Sequence, residues 1–156
     1  MAEVTSRQVT TLAGSSTGPG KVRPSDFYGR KRVVIIETPA TYTAPAVSDT
    51  IGSGFRLPPG ARLLSSSVVN VLGAGAASST LSVGLRDFTT KVATDATAVA
   101  SAVSLTAAGR PVANNGTSLT NGTLTAANQE LYATFTGATG TANQQIRVEV
   151  EIVTDD

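Results

Sequence analysis

From Gln145 to Val153 the chain alternates without a break: Ile146, Val148, Val150 and Ile152 fall on one side, Arg147, Glu149 and Glu151 on the other. A helix would scatter those apolar residues around its circumference, whereas a strand sets all four on one face. Glu130 to Thr136 (ELYATFT) repeats the pattern, with Leu131, Ala133 and Phe135 opposed to Tyr132 and Thr134. Thr80 to Arg86 does so again: Leu81, Val83 and Leu85 point one way, Thr80, Ser82, Gly84 and Arg86 the other. Each segment predicts a strand with one buried face.

Other segments read as strands on weaker grounds. Pro58, Pro59 and Gly60 stop any helix or central strand, because proline lacks an N–H and fixes φ. After that stop, Ala61 to Leu72 predicts one long strand, and the small-residue loop Gly73–Ser78 joins it to Thr80–Arg86 as an antiparallel hairpin. Val33 to Glu37 (VVIIE) is a continuous β-branched run, the pattern of a strand covered on both faces. Pro39 and Pro45 bend the chain, and Thr50 to Leu57 returns it as another strand. The Ala/Val-rich stretch over residues 95–104 admits strand or helix: Asp95 could cap a helix, but Thr and Val favour strand, which is the reading preferred. Between Gly109 and Asn128, Pro111, Asn114-Asn115-Gly116 and Asn121-Gly122 mark turns, with short extended segments at Ser118–Thr120 and Thr123–Thr125. Strands separated by turn clusters, with no long helix, predict an all-β antiparallel β-sandwich.

Composition narrows the chemistry. The 156 residues suggest one domain plus an appendage. Cys and His are absent, which removes thiol nucleophiles, disulfides, Cys/His zinc sites and histidine bases. Aromatics make up 4% and Trp is missing, so the core must be Val, Leu, Ile and Ala. At about 25 cal/mol per Å² of apolar surface, such a core leaves a thin margin over conformational entropy. Self-association, which buries further surface and covers strand edges, is therefore expected. No run of apolar residues is long enough for a membrane helix. The first residues carry no apolar signal core, so the expectation is a soluble protein made in the cytoplasm.

The charge is uneven. Residues 1–32 hold Arg7, Lys21, Arg23, Arg30, Lys31 and Arg32 against Glu3 and Asp26, a net +4; the whole chain is +1, so the remainder is −3. Ser, Thr, Gly and Pro dominate residues 1–26, and GSSTGPG has a linker's composition, so the division expected is an extended basic arm over 1–32 and a sandwich over 33–156. At the junction, DFYGRKR (Asp26–Arg32) joins two rings to three cations. It reads either as a basic turn with its rings packed on the domain or as a docking element. In the second case Phe27 and Tyr28 anchor while Arg30, Lys31 and Arg32 meet an acidic partner. One short basic cluster is too little to predict nucleic-acid binding.

Reactive constellations fail one by one. GSSTGPGKV looks like a phosphate loop but is one residue too long, lacks the Ser/Thr after Lys21 and follows no strand. Asn115-Gly116-Thr117 and Asn121-Gly122-Thr123 match a glycosylation acceptor, yet two hairpin turns account for both. Asp87 and Asp95 stand alone, Glu149 and Glu151 face solvent on their strand, and no calcium-type loop exists. A Ser/Lys pair would need Lys31 or Lys91 held in place, which nothing in the sequence suggests. No catalysis, cofactor or metal is expected.

LPPGARLL (Leu57–Leu64), then VLGAGAASSTLSVGLRD (Val71–Asp87) and the closing IRVEVEIV (Ile146–Val153), resemble a class of small virion proteins of tailed bacteriophages over residues 50–154. The resemblance implies a capsid decoration (cement) protein or other minor structural protein. Its fold would be a jelly-roll-like β-sandwich, bound to the major capsid protein on the outer surface of the virion as a homo-oligomer, trimer before dimer. The arm would order along the shell, and the protein would stabilise the capsid by bridging neighbouring coat subunits. The rival readings are the receptor- or glycan-binding head of a fibre or tail, disfavoured by the scarcity of aromatic platforms, and a tail or connector component.

Overall fold

The alternating segment near the C-terminus becomes the spine of the first of two sheets. In a computed structural model, which describes residues 30–64 and 68–154, it forms β8 (Gln145–Thr154), whose side chains alternate between buried and half-exposed along its whole length. The residue paired beside each of its positions is drawn from three other strands. β1 (Arg30–Glu37) lies antiparallel along one edge, from Arg30 opposite Thr154 to Glu37 opposite Arg147, with no shift of register. β3 (Arg62–Leu63) and β4 (Val68–Leu72) share the other edge. Where the sequence predicts one strand over Ala61–Leu72, there are two. From Leu63 to Val68 the chain takes five steps against the three that β8 takes from Ile152 to Glu149, so two residues are extra and the ladder breaks.

The second sheet runs β2 (Thr50–Leu57), β7 (Gln129–Thr136), β5 (Thr80–Asp87) and β6 (Ala93–Ser104), all antiparallel. Residues 95–104 are thus strand, as their Thr and Val content favours. In register, Leu81, Val83 and Leu85 of β5 sit opposite Phe135, Ala133 and Leu131 of β7. Together with Val34, Ile36, Val69, Val71, Ile146, Val148, Val150 and Ile152 of the first sheet they make one continuous core. The all-β antiparallel sandwich is therefore the observed fold.

Three expectations are corrected by this arrangement. β4 and β5 form no hairpin: β4 bonds to β8 and β5 to β6 and β7, so Gly73–Ser79 carries the chain from one sheet to the other. A short loop fixes only the distance between strand ends, not that the strands pair. β1 is covered on one face, not two, because its sheet packs on the core by one side only: Val34 and Ile36 are buried, Val33 and Ile35 exposed. Residues 117–121 are a helical turn, α1 (Thr117–Asn121), not an extended segment. The two Asn-Gly pairs flank it as its ends, with Gly122 supplying the left-handed C-cap at φ 63°, and are not hairpin turns.

β5 is buried on its outer face too. Between Val83 and Leu85 it takes two steps while β6 takes five, from Ala100 to Asp95, and the surplus arches over β5. A Cβ on Gly84 would run into the backbone of Asp95 and Ala96, so only glycine admits this cover. Further along the same face, Arg86 and Glu130 are register partners. Glu130 is 1% exposed and takes two cations on one oxygen, Arg86 Nε at 2.7 Å and Lys91 Nζ at 2.7 Å. Arg86 also donates to Thr50 Oγ1 at 3.1 Å and stacks 5.0 Å from the Tyr132 ring, in space that Gly52 leaves open. Lys91 is held by the turn at Asp87, whose Oδ1 accepts from the Thr89 and Thr90 amides at 2.8 and 2.7 Å. Burial works against ionising Glu130, but the hydrogen bonds and charges of Lys91 and Arg86 outweigh it and hold its carboxyl below the ordinary value.

Two outcomes follow for stability. Glu130→Gln leaves the nearly buried Arg86 without its anion and should destabilise the fold by about 3 kcal/mol near neutral pH, read as a lower urea midpoint at unchanged slope. Because the folded carboxyl titrates below its unfolded counterpart, its contribution is complete above the ordinary glutamate range and is lost as pH falls through the depressed value. The variant should therefore show a flatter acid limb than the wild type. Gly84→Ala should cost about 2 kcal/mol by overpacking against β6, measured the same way.

Candidate interaction surface

With the aspartates, glutamates and lysines placed, most of the polar chemistry is spent on scaffolding. Asp95 accepts from Thr117 and Ser118 of α1, at 2.6 and 2.9 Å, and from the Thr97 amide at 3.1 Å, tying the helix to β6. Its burial opposes ionisation, but these hydrogen bonds prevail and its carboxyl lies below the ordinary range. The bonds to the Thr90 amide and its neighbours lower Asp87 likewise. Gln144 reaches across from the start of β8 to the Leu105 carbonyl at 2.8 Å, and its own carbonyl accepts from Thr38 at 3.1 Å and from the Tyr42 hydroxyl. Among the described residues no three acidic side chains gather as a metal site would need. No described helix is long and apolar enough to cross a membrane.

Among the described residues, the outer face and free edge of β1 carry adjacent apolar side chains that the core does not use. The reason lies in the sequence RKRVVIIE read at period two. Val34 and Ile36 enter the core, so Lys31, Val33, Ile35 and Glu37 must point outward. All four are exposed: 57% and 52% for the Lys31 and Glu37 side chains, 50% and 41% for Val33 and Ile35. Charges on β8 steady both ends of the stripe. Lys31 Nζ lies 2.6 Å from Glu151, while Arg147 bridges Glu37 and Glu149, the latter at 2.6 Å. The bond to Glu149, with Glu37 behind it, raises the Arg147 guanidinium above its ordinary value. Alongside, a groove of about 360 Å³ is lined by Arg32, Val33, Val34, Ile35 and, from β2, Phe55, itself 43% exposed.

Of the residues singled out from sequence, Arg30, Lys31 and Arg32 stand at the head of β1, with the strand starting at Arg30 where the sequence suggests Val33. Phe27 and Tyr28 lie outside the described residues, as does the arm through residue 29. Successive residues of a strand face opposite ways, so the three cations do not form one patch: Lys31 joins the outward stripe, and Arg30 and Arg32 share the other side. Val33 and Ile35 were missed because a continuous apolar run is read as buried by default, and Phe55 because nothing local marks it as exposed. For Val33 and Ile35 the signal was the order of the outward residues, cation, apolar, apolar, anion, with opposite charges at its two ends.

No protein-family model matches the chain, and no curated protein matches it. Among solved structures it is similar to a chain of the cyanophage Pam1 capsid asymmetric unit, at 19% identity and a TM-score of 0.48, over 98% of this chain and 99% of that one. It is also similar to a chain of the acidic stable capsid structure of Helicobacter pylori bacteriophage KHP30, at 17% identity and a TM-score of 0.44, over 81% of this chain and 89% of that one.

Proposed function

We propose that this protein is a non-catalytic component of a phage particle that decorates and stabilises the capsid, binding across neighbouring coat subunits as an oligomer. The observation that carries the reading is the contrast between carboxylates such as Glu130 and Asp95, tied to neighbouring strands and turns by ion pairs and hydrogen bonds, and the open, cation-headed β1 surface. An enzyme concentrates poorly satisfied, perturbed groups in a cleft. Here Glu130, Asp87 and Asp95 are all lowered by bonds that hold strands and turns together. The surface that remains is suited to contact.

Strand order gives a second support. The first sheet reads β1, β8, then β3 and β4, and the second β2, β7, β5, β6. The chain changes sheet from β1 to β2, from β2 to β3, from β4 to β5 and from β7 to β8. After β6 it touches the first sheet again where Gly109 bridges Val71 and the Val69 amide bonds to the Pro111 carbonyl at 3.2 Å. We read that order as a jelly roll's, counting β3 and β4 as one strand and letting the contact at Gly109 and Pro111 stand for a missing one. The fold is common in viral capsid and lectin domains. The resemblance of residues 50–154 to phage virion proteins, whose quoted segments fall on β3, the end of β4, β5 and β8, favours the capsid over the lectin.

In this reading the basic leader makes the coat contact. Phe27 and Tyr28 supply the apolar anchor, and Arg30, Lys31 and Arg32 add the positive charge that attracts acidic coat residues. Repeated weak contacts then add through multivalency.

Quantitative mass spectrometry of purified particles should find the chain in numbers comparable to the major coat protein. A copy number that is a small fraction of the coat's would move the assignment to a tail, connector or receptor-binding component, and absence from particles would overturn it. Deleting residues 2–29 leaves β1 whole. It should keep the circular-dichroism spectrum and melting of the full chain but strip the protein from particles, and raised salt should weaken the wild-type attachment in the same assay. Full occupancy by the deleted form would remove the leader from the mechanism.

A further inference from the structure

The free edge of β1 has the features that edge strands normally avoid. It is eight residues long, contains no proline and no bulge, keeps one register along β8, and presents apolar side chains on its open face. Among the described residues no strand pairs with its other edge. We infer that a second copy of this chain does, through a two-fold axis at Val34 that sets β1 antiparallel to β1 of the partner.

The register follows from the side chains. Residues directly opposite in antiparallel strands share a face, so a two-fold perpendicular to the sheet must pass through a residue, not between two. Centring on Val33 sets Lys31 opposite the partner's Ile35, and centring on Ile35 sets Val33 opposite the partner's Glu37. Both match charge with hydrocarbon. Centring on Val34 alone sets Lys31 opposite the partner's Glu37, and Val33 opposite the partner's Ile35, each twice by symmetry. The stripe is complementary to itself, as an isologous contact requires.

The neighbouring charges extend the match. Glu151 already holds Lys31, and Arg147 already holds Glu37. Across the junction the order becomes Glu151, Lys31, the partner's Glu37, the partner's Arg147, alternating in sign. Both sheets join into one, and Phe55 flanks the groove that the incoming strand would fill. The pairing itself does not depend on the particle role. If that role holds, the geometry explains the bridging: the two Arg30 ends lie eight positions apart along the ribbon, roughly 25 Å, and face opposite directions. Two basic leaders would then start towards different coat subunits.

The test is charge reversal, read by sedimentation equilibrium and light scattering on the full chain in the absence of particles. The wild type should be a dimer in exchange with monomer. Lys31→Glu and Glu37→Lys each face like charges across the axis and should weaken dimerisation on the order of tenfold or more. The double variant K31E/E37K restores opposite charges across the axis, while Glu151 and Arg147 now stand beside like charges, and should regain a large part of the lost affinity. Melting of each variant checks that the fold survives. A wild-type chain that is monomeric or trimeric would overturn the inference, as would a dimer indifferent to the single reversals or a double variant no better than the singles. So would a monomer that dimerises only when residues 2–29 are removed, which would make the leader the occupant of the edge. None of these results bears on copy number in particles, so the two readings fail separately.

Discussion

Everything in the first sheet depends on β8. It is the one strand that β1, β3 and β4 all hydrogen-bond to, and its strict alternation performs two tasks. Ile146, Val148, Val150 and Ile152 are each at most 4% exposed and fill the core, while Arg147, Glu149 and Glu151 organise the charges outside. A slip of one residue would exchange those sets, burying three charges and exposing four aliphatic side chains. The register of β1, and with it the exposed stripe, is fixed by that constraint.

The second sheet solves a different problem with the same means. β5 and β7 are covered on both faces, so polar residues on their outer side had to be satisfied locally. Arg86 and Glu130 meet because they are register partners, and Lys91 completes the group from the Asp87 turn. Glycine at positions 52 and 84 makes the space for the guanidinium and for the arch of β6. These charges are internal fittings. A surface open to another molecule lies on the first sheet, where β1 ends it with six of its eight residues exposed.

Composition and edge belong to one argument. With few aromatics and no disulfide the chain relies on aliphatic burial, and an open edge lined by Val33 and Ile35 leaves part of that burial unused. Association through β1 uses it, and removes the edge as a template for disordered aggregation. The same strand is headed by the cations that the proposed coat contact needs, so assembly and attachment meet at one end of the sandwich.

Read alone, the sequence specifies the three alternating strands and which face of each is apolar. Period-two alternation over residues 80–86, 130–136 and 145–153 is written in side chains, and β5, β7 and β8 follow it to within a residue or so at each end. It also marked Arg30 to Arg32 as notable. Which strand sits beside which is settled by the fold as a whole. Backbone hydrogen bonds are the same for every residue, so the loop at Gly73–Ser79 could equally close a hairpin or cross between sheets. The Arg86–Glu130 and Lys91–Glu130 pairs span 44 and 39 residues, beyond any local pattern. The helical turn at Thr117–Asn121 is too short to show a period. And whether Val33 and Ile35 are core or surface depends on a layer being present above them, which is a property of the sheet's order and not of VVIIE.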